Sequence, residues 1–160
     1  MPEDGPAGAP VRILCLGNEL IADDAIGYAA AAELRRRLPG VEVVEEFTSG
    51  FYLMDSVLGA ARLIVVDAVV TGAGPPGTIH VFGEEDLAVP GGSSPHYVGL
   101  FETLDLARAL GLDAPAEVVL VCVEVSDVIT IGGPMTPPVR AALPGLVELV
   151  ASLAGTTAAV

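Results

Sequence analysis

A chain of 160 residues with a net charge of −14, no lysine and few arginines apart from Arg35-Arg36-Arg37 lacks the clustered cations that a phosphate backbone needs, which makes nucleic acid a poor candidate partner. Hydrophobic residues make up 52% and charged residues 18%, a balance that excludes a disordered chain and favours one α/β domain with strands buried on both faces. No apolar run approaches the roughly 18 residues of a membrane span, because Asp67, Glu124 and Gly/Pro clusters interrupt the apolar stretches. No membrane partner is expected.

The opening Met1 to Pro10 is acidic and rich in Pro and Gly, without the basic and apolar regions of a secretory signal. It reads as a disordered lead to a cytoplasmic domain spanning 11–153, with 154–160 a flexible tail. Arg12 to Leu16 reads as a first strand stopped by Gly17-Asn18, and Ile26 to Leu38 as a helix ended by Pro39-Gly40. Arg35-Arg36-Arg37 lie at the end of that helix, where cations complement the dipole. Val41 to Phe47 reads as a second strand, Tyr52 to Leu58 as a short helix, and Leu63 to Ala68 as a central buried strand. Gly72 to Gly77 is a loop, and Thr78 to Phe82 alternates as an edge strand does. Pro90 to His96 reads as the longest flexible loop, running into a helix from about Gly99 to Leu110. Val118 to Val123 is a further apolar strand, Ser126 to Thr136 a second long loop, and Pro137 to about Leu153 a closing amphipathic helix. Strands alternating with helices imply a three-layer α/β/α sandwich with a mostly parallel sheet. The site of such a sheet lies beyond the carboxyl ends of its strands.

Asp24, Asp67 and His96 all belong to segments expected at that edge, and two carboxylates with one imidazole suit a first-row divalent metal while leaving positions open. Each also has a plainer reading. Asp23 or Asp24 can cap the first helix, and the reading adopted gives Asp23 the cap and Asp24 the ligand role. Asp67 can form a turn, but a charge among Ile64, Val65, Val66, Ala68 and Val69 is costly unless paired or coordinated. A lone histidine is more often structural, and His80 is a strand residue without an evident partner. Cys15 and Cys122 lie in apolar stretches and read as buried, reduced thiols. The loop Gly17 to Asp24 lacks both GxGxxG and GxxxxGK[ST], and the chain contains neither G-x-S-x-G nor H-E-x-x-H. An activated water is then the candidate nucleophile of a hydrolase.

Gly17-Asn18 followed by Ala22-Asp23-Asp24-Ala25-Ile26-Gly27, then Asp67-Ala68, and Ser94-Pro95-His96-Tyr97-Val98-Gly99-Leu100 together resemble the hydrogenase maturation endopeptidases. Thr48-Ser49-Gly50, Pro76-Gly77-Thr78-Ile79 and the segment from Gly133 to Ala142 extend the resemblance over about 11–153. It implies a five-stranded, phosphorylase/hydrolase-like sheet with the fourth strand antiparallel. It also implies an endopeptidase that removes a C-terminal extension from a [NiFe] hydrogenase large-subunit precursor. Asp24, Asp67 and His96 fall on the positions that bind nickel, and that nickel belongs to the substrate. Ala25, Glu45 and Cys122-Val123-Glu124 depart from the commoner pattern. Two other functions compete: a peptidyl-tRNA hydrolase-like enzyme, suggested by the strand before Leu16-Gly17-Asn18 but opposed by the acidity, and a non-enzymatic nickel-binding chaperone on the same fold.

Overall fold

The computed structural model describes residues 10–48, 50–88 and 95–155, and of residues 87, 88 and 95–98 the backbone only. Five strands form one sheet: β1 (Val11–Leu16), β2 (Glu42–Glu46), β3 (Arg62–Val69), β4 (Ile79–Gly83) and β5 (Glu117–Glu124). Their order is β2-β1-β3-β5-β4. The first four are parallel neighbours, and β4 runs antiparallel to β5 at the edge; its alternation predicts the edge position and the resemblance implies the antiparallel direction.

Alternation along the buried strands sorts the core into two layers. Ile13, Cys15, Ile64, Val66, Val121 and Val123 pack on α1 (Ile26–Arg37) and α4 (Pro137–Gly155). Leu14, Leu16, Val65, Leu120 and Cys122 face the other way, with α2 (Met54–Val57) and α3 (Pro95–Ala109). Sheet and helices therefore make the expected three layers.

Several boundaries differ from the sequence expectation. His96 sits on the backbone of the first turn of α3, not in a loop, while the rest of the expected flexible segment lies outside the described residues apart from Pro95. β3 continues past Asp67 to Val69, because the chain beyond the carboxylate stays paired to β5 through Val69↔Glu124. Pro10, the last residue of the expected disordered lead, is anchored: its carbonyl accepts the N–H groups of Ala61 and Arg62 at 2.9 and 3.2 Å. The remainder of that lead lies outside the described residues. α4 takes in Ala154 and Gly155 of the expected tail, and 156–160 also lie outside. α4 moreover has, by length and a mean hydropathy of 1.2, the makings of a membrane span, contrary to the expectation that no stretch does. In this fold Val139, Leu146, Val147, Val150 and Ala154 are buried, so its apolarity goes into the core.

The Arg35-Arg36-Arg37 triplet occupies the last turn of α1 and is tied to carboxylates as well as to the helix dipole. Arg35 pairs with Glu45, Arg36 with Glu33, and Arg37 with Glu148 at 2.7 Å.

Candidate functional site

The path of the chain reverses at β1: β2 joins one side of it and β3 the other. In open α/β sheets such a switch point leaves a crevice between the carboxyl ends of the two strands. Asp24 and Asp67 flank that crevice. Asp24 sits in a 3₁₀ turn, Ala22–Ala25, directly after the β1 turn. Asp67 lies in β3 one residue beyond Val66, which pairs with Cys15, so it is level with the end of β1. It shares the alternation of Val65 and Val69 and thus points to the α2–α3 layer.

The first turn of α3 is at the same edge and in the same layer. The Thr103 hydroxyl donates to the Gly50 carbonyl at 2.9 Å, in the 3₁₀ turn Gly50–Leu53 that follows β2. At the other end of α3, Arg108 pairs with Glu84, just after the antiparallel β4 has carried the chain to the opposite edge. The backbone of His96 therefore stands with Asp24 and Asp67 at the carboxyl edge. Its side chain lies outside the described residues, and among those residues no three His, Cys, Asp or Glu side chains form a metal-binding group.

The backbone packs closely around Asp24 and Asp67. Gly17 has φ 149°, and a Cβ there would meet the Asp24 carbonyl oxygen at 2.3 Å and its carboxyl carbon at 3.9 Å. Only glycine lets the turn pass this close beneath the Asp24 backbone carbonyl. Gly27 plays the companion part, since a Cβ on it would strike the Leu16 carbonyl at 2.3 Å. Asp67 is fully buried, and its Oδ1 accepts the Ala68 N–H at 2.8 Å. Burial raises the pKa of the Tyr28 hydroxyl, in the first turn of α1, and the charges of Glu45, Glu19, Glu46 and Asp24 raise it further.

Asp23 has a different task from the one its sequence position suggests. It makes no cap bond to α1, whose N-cap position is Ala25 with no side-chain bond. Its fully buried carboxylate instead collects the far loop. Oδ2 accepts the N–H groups of Ser126 and Asp127 at 3.1 and 2.9 Å, and Oδ1 accepts the N–H and hydroxyl of Thr136 at 2.6 and 2.9 Å. Burial alone would raise this carboxyl's pKa, but the N–H groups of Asp127, Thr136 and Ser126 hold it below the ordinary value.

A family model described as hydrogenase maturation protease matches residues 29–153 of this chain. The chain belongs to the hydrogenase maturation protease family. It is accordingly a hydrolase of the endopeptidase class. Its relatives include the hydrogenase 2 maturation protease of Escherichia coli, 32% identical over 149 residues that cover 89% of this chain and 90% of the relative. The hydrogenase expression/formation protein HupD of Bradyrhizobium diazoefficiens is 34% identical over 136 residues, 81% of this chain and 70% of that one. The hydrogenase maturating endopeptidase HybD from E. coli superposes with a TM-score of 0.79 at 29% identity, covering 92% and 93% of the two chains. The maturation protease HybD from Thermococcus kodakarensis does so with a TM-score of 0.76, also at 29% identity, covering 91% and 99%.

This maturation protease carries one further buried carboxylate that the sequence reading passed over. Glu124, at the end of β5, is 3% exposed and accepts the Thr71 hydroxyl, the N–H groups of Thr71 and Gly72 at 2.8 and 3.3 Å, and His80 Nε2 at 2.9 Å. Burial works to raise its pKa, and the Thr71, His80 and Gly72 donors outweigh that and lower it. His80, expected to have no partner, is thus engaged with Glu124 and stacked on Phe82. The signal was present: a glutamate at the end of an apolar strand requires a donor.

Proposed function

We propose that this protease removes the C-terminal extension of a [NiFe] hydrogenase large-subunit precursor, and that Asp24, Asp67 and His96 recognise nickel already seated in that substrate. Membership of the family carries the first half of the reading. The second rests on two carboxylates flanking the switch-point crevice with the His96 backbone at the same edge. Hard carboxylate oxygens and an imidazole nitrogen are competent donors to a divalent first-row ion. An ion carried in by the substrate and completed by these three side chains registers metal loading, since an empty precursor offers them nothing to bind. It also holds the tail in one orientation for attack by water, the entropic part of catalysis. The proposed reaction is cytoplasmic.

Incubation with nickel-loaded and nickel-free precursor, followed by intact mass, tests this. The loaded form alone should lose its extension; equal shortening of both forms would remove nickel from the reading.

A further inference from the structure

The loops that leave the carboxyl ends of the parallel strands carry large apolar side chains in the open. Ile129 is 82% exposed, Ile131 79% and Leu20 63%; across the edge Tyr52 is 83%, Phe47 69% and Phe51 57%. Scattered exposed apolar residues need no explanation, but a concentration around one crevice marks a contact surface.

These residues stand on an ordered backbone. Asp127 Oδ1 accepts the N–H groups of Ile129 and Thr130 at 3.1 and 3.0 Å, holding the turn that presents Ile129. Ile21 bridges Ile131, Gly132 N–H reaches the Leu20 carbonyl at 2.7 Å, and Ala22 N–H reaches the Thr130 carbonyl at 3.1 Å. Leu20, Ile129 and Ile131 thereby form one lip. Phe47, Phe51 and Tyr52 follow β2 and form the other. The turn between them is tied to both strands' loops, because Gly17 N–H donates to the Glu46 carbonyl at 3.2 Å and Asn18 N–H to the Asp24 carbonyl at 3.3 Å. Asp24 follows Leu20 in the same loop, in the 3₁₀ turn Ala22–Ala25.

Acidic side chains outnumber basic ones at this edge, where Arg140 at the start of α4 is the one arginine. Segments 17–25, 47–53, 70–78 and 125–136 contain Glu19, Asp23, Asp24 and Asp127 and no Lys or Arg. Arg12, Arg35, Arg36, Arg37, Arg62 and Arg108 all lie towards the opposite edge, at strand starts and at the ends of α1 and α3. Arg140, in the first turn of α4, donates to the Met135 carbonyl.

We propose that the two lips form the docking surface for the protein substrate, taking a segment of it that is apolar and carries Lys, Arg or His. The inference rests on the reading that this chain cleaves a precursor. The apolar lips supply contact area, and the acidic crevice selects a cationic segment over an anionic one. A second copy of this acidic face, or an anionic membrane, would meet like charge.

The experiment measures both binding of nickel-loaded precursor and the kinetics of its cleavage. It uses the double variants Ile129→Ser/Ile131→Ser and Phe47→Ser/Tyr52→Ser, with Leu110→Ser, exposed beyond the far end of α3, as control. Each double variant should raise KM and weaken binding at least about tenfold with little change in kcat, as truncation of central apolar anchors does. Leu110→Ser should change neither. Glu19→Gln should raise KM about twofold, and added salt should raise wild-type KM further. Unchanged KM and binding in both double variants overturn the docking surface even if cleavage proceeds. So does a change confined to self-association, seen by sedimentation, or to retention on phosphatidylserine vesicles. Wild-type binding through these residues without any cleavage would sustain the surface and sink the proteolytic reading; neither binding nor cleavage would sink both.

Discussion

Asp23 and Asp24 are chain neighbours with the same functional group, and their surroundings give them separate tasks. Asp23 is sealed off and saturated by donors from Ser126, Asp127 and Thr136, so it orders the long loop, whereas Asp24 is only half-buried. Asp23→Asn puts an NH₂ group against N–H donors, and leaving buried donors unmatched costs about 1–3 kcal/mol each. The variant should lower the urea midpoint and reduce processing, because the loop that carries Ile129 is released. A wild-type midpoint would refute the linkage. Glu124 makes a pH prediction. Its folded pKa, like that of Asp23, lies below the ordinary carboxyl value. A lowered carboxyl contributes stability that is present above its unfolded pKa and is lost as pH falls through the folded one. The stability gap between wild type and Glu124→Gln should therefore be widest near neutrality and close in acid, and a gap that grows on acidification would contradict the assignment. Sequence reading gave Asp23 a helix cap, whereas its partners are donors of the far loop. Those lie more than a hundred residues further along, beyond any local pattern. That Asp67 stands among apolar strand residues was legible, because the sequence surrounds it with them.

At the level of elements, the strands and long helices could be read because burial on both sheet faces forces continuous apolar runs, and β4 because its edge position restores alternation. Helix ends were less legible. The sequence hides the start of α3 behind Pro90 to Pro95, where turn-forming residues mask the first helical turn. The β1–α1 junction depends on close approach, and Gly27→Ala tests it. The added methyl collides with the Leu16 carbonyl, so α1 must shift on the sheet, at a cost of about 1–3 kcal/mol as for other overpacked sites. A calorimetric scan should show a lower Tm, whereas an unchanged or higher Tm would mean that α1 has room to move. The middle of β1 makes a second test. Burial, and to a smaller degree the charge of Glu45, push the Cys15 thiol up to about 12. Neither cysteine joins a disulfide, and both are buried. Thiol reagents should label Cys15 only as fast as the fold opens, and rapid labelling of native protein would contradict the burial.

For the whole molecule, two asymmetries converge on one edge. Strand order puts the crevice between β1 and β3, and the arginines stand mostly towards the other edge. A carboxyl edge that is acidic and apolar suits a protein substrate, and family membership supplies the class of reaction. The metal-reading site is the central claim, and its most direct test is the ratio of cleavage rates for nickel-loaded and nickel-free precursor, measured in wild type, Asp24→Asn, Asp67→Asn and His96→Ala. Asp→Asn keeps side-chain size and removes the anionic oxygen, and His96→Ala removes the nitrogen donor. His80→Ala is the control, expected to cost about 1 kcal/mol of stability through Glu124 but to leave processing intact. The account predicts a large ratio in wild type and His80→Ala, and a loss of loaded-precursor cleavage of at least about a hundredfold in the other three, as removal of metal-site groups produces. Wild-type rates in His96→Ala, or a ratio near one in the wild-type enzyme, would contradict it.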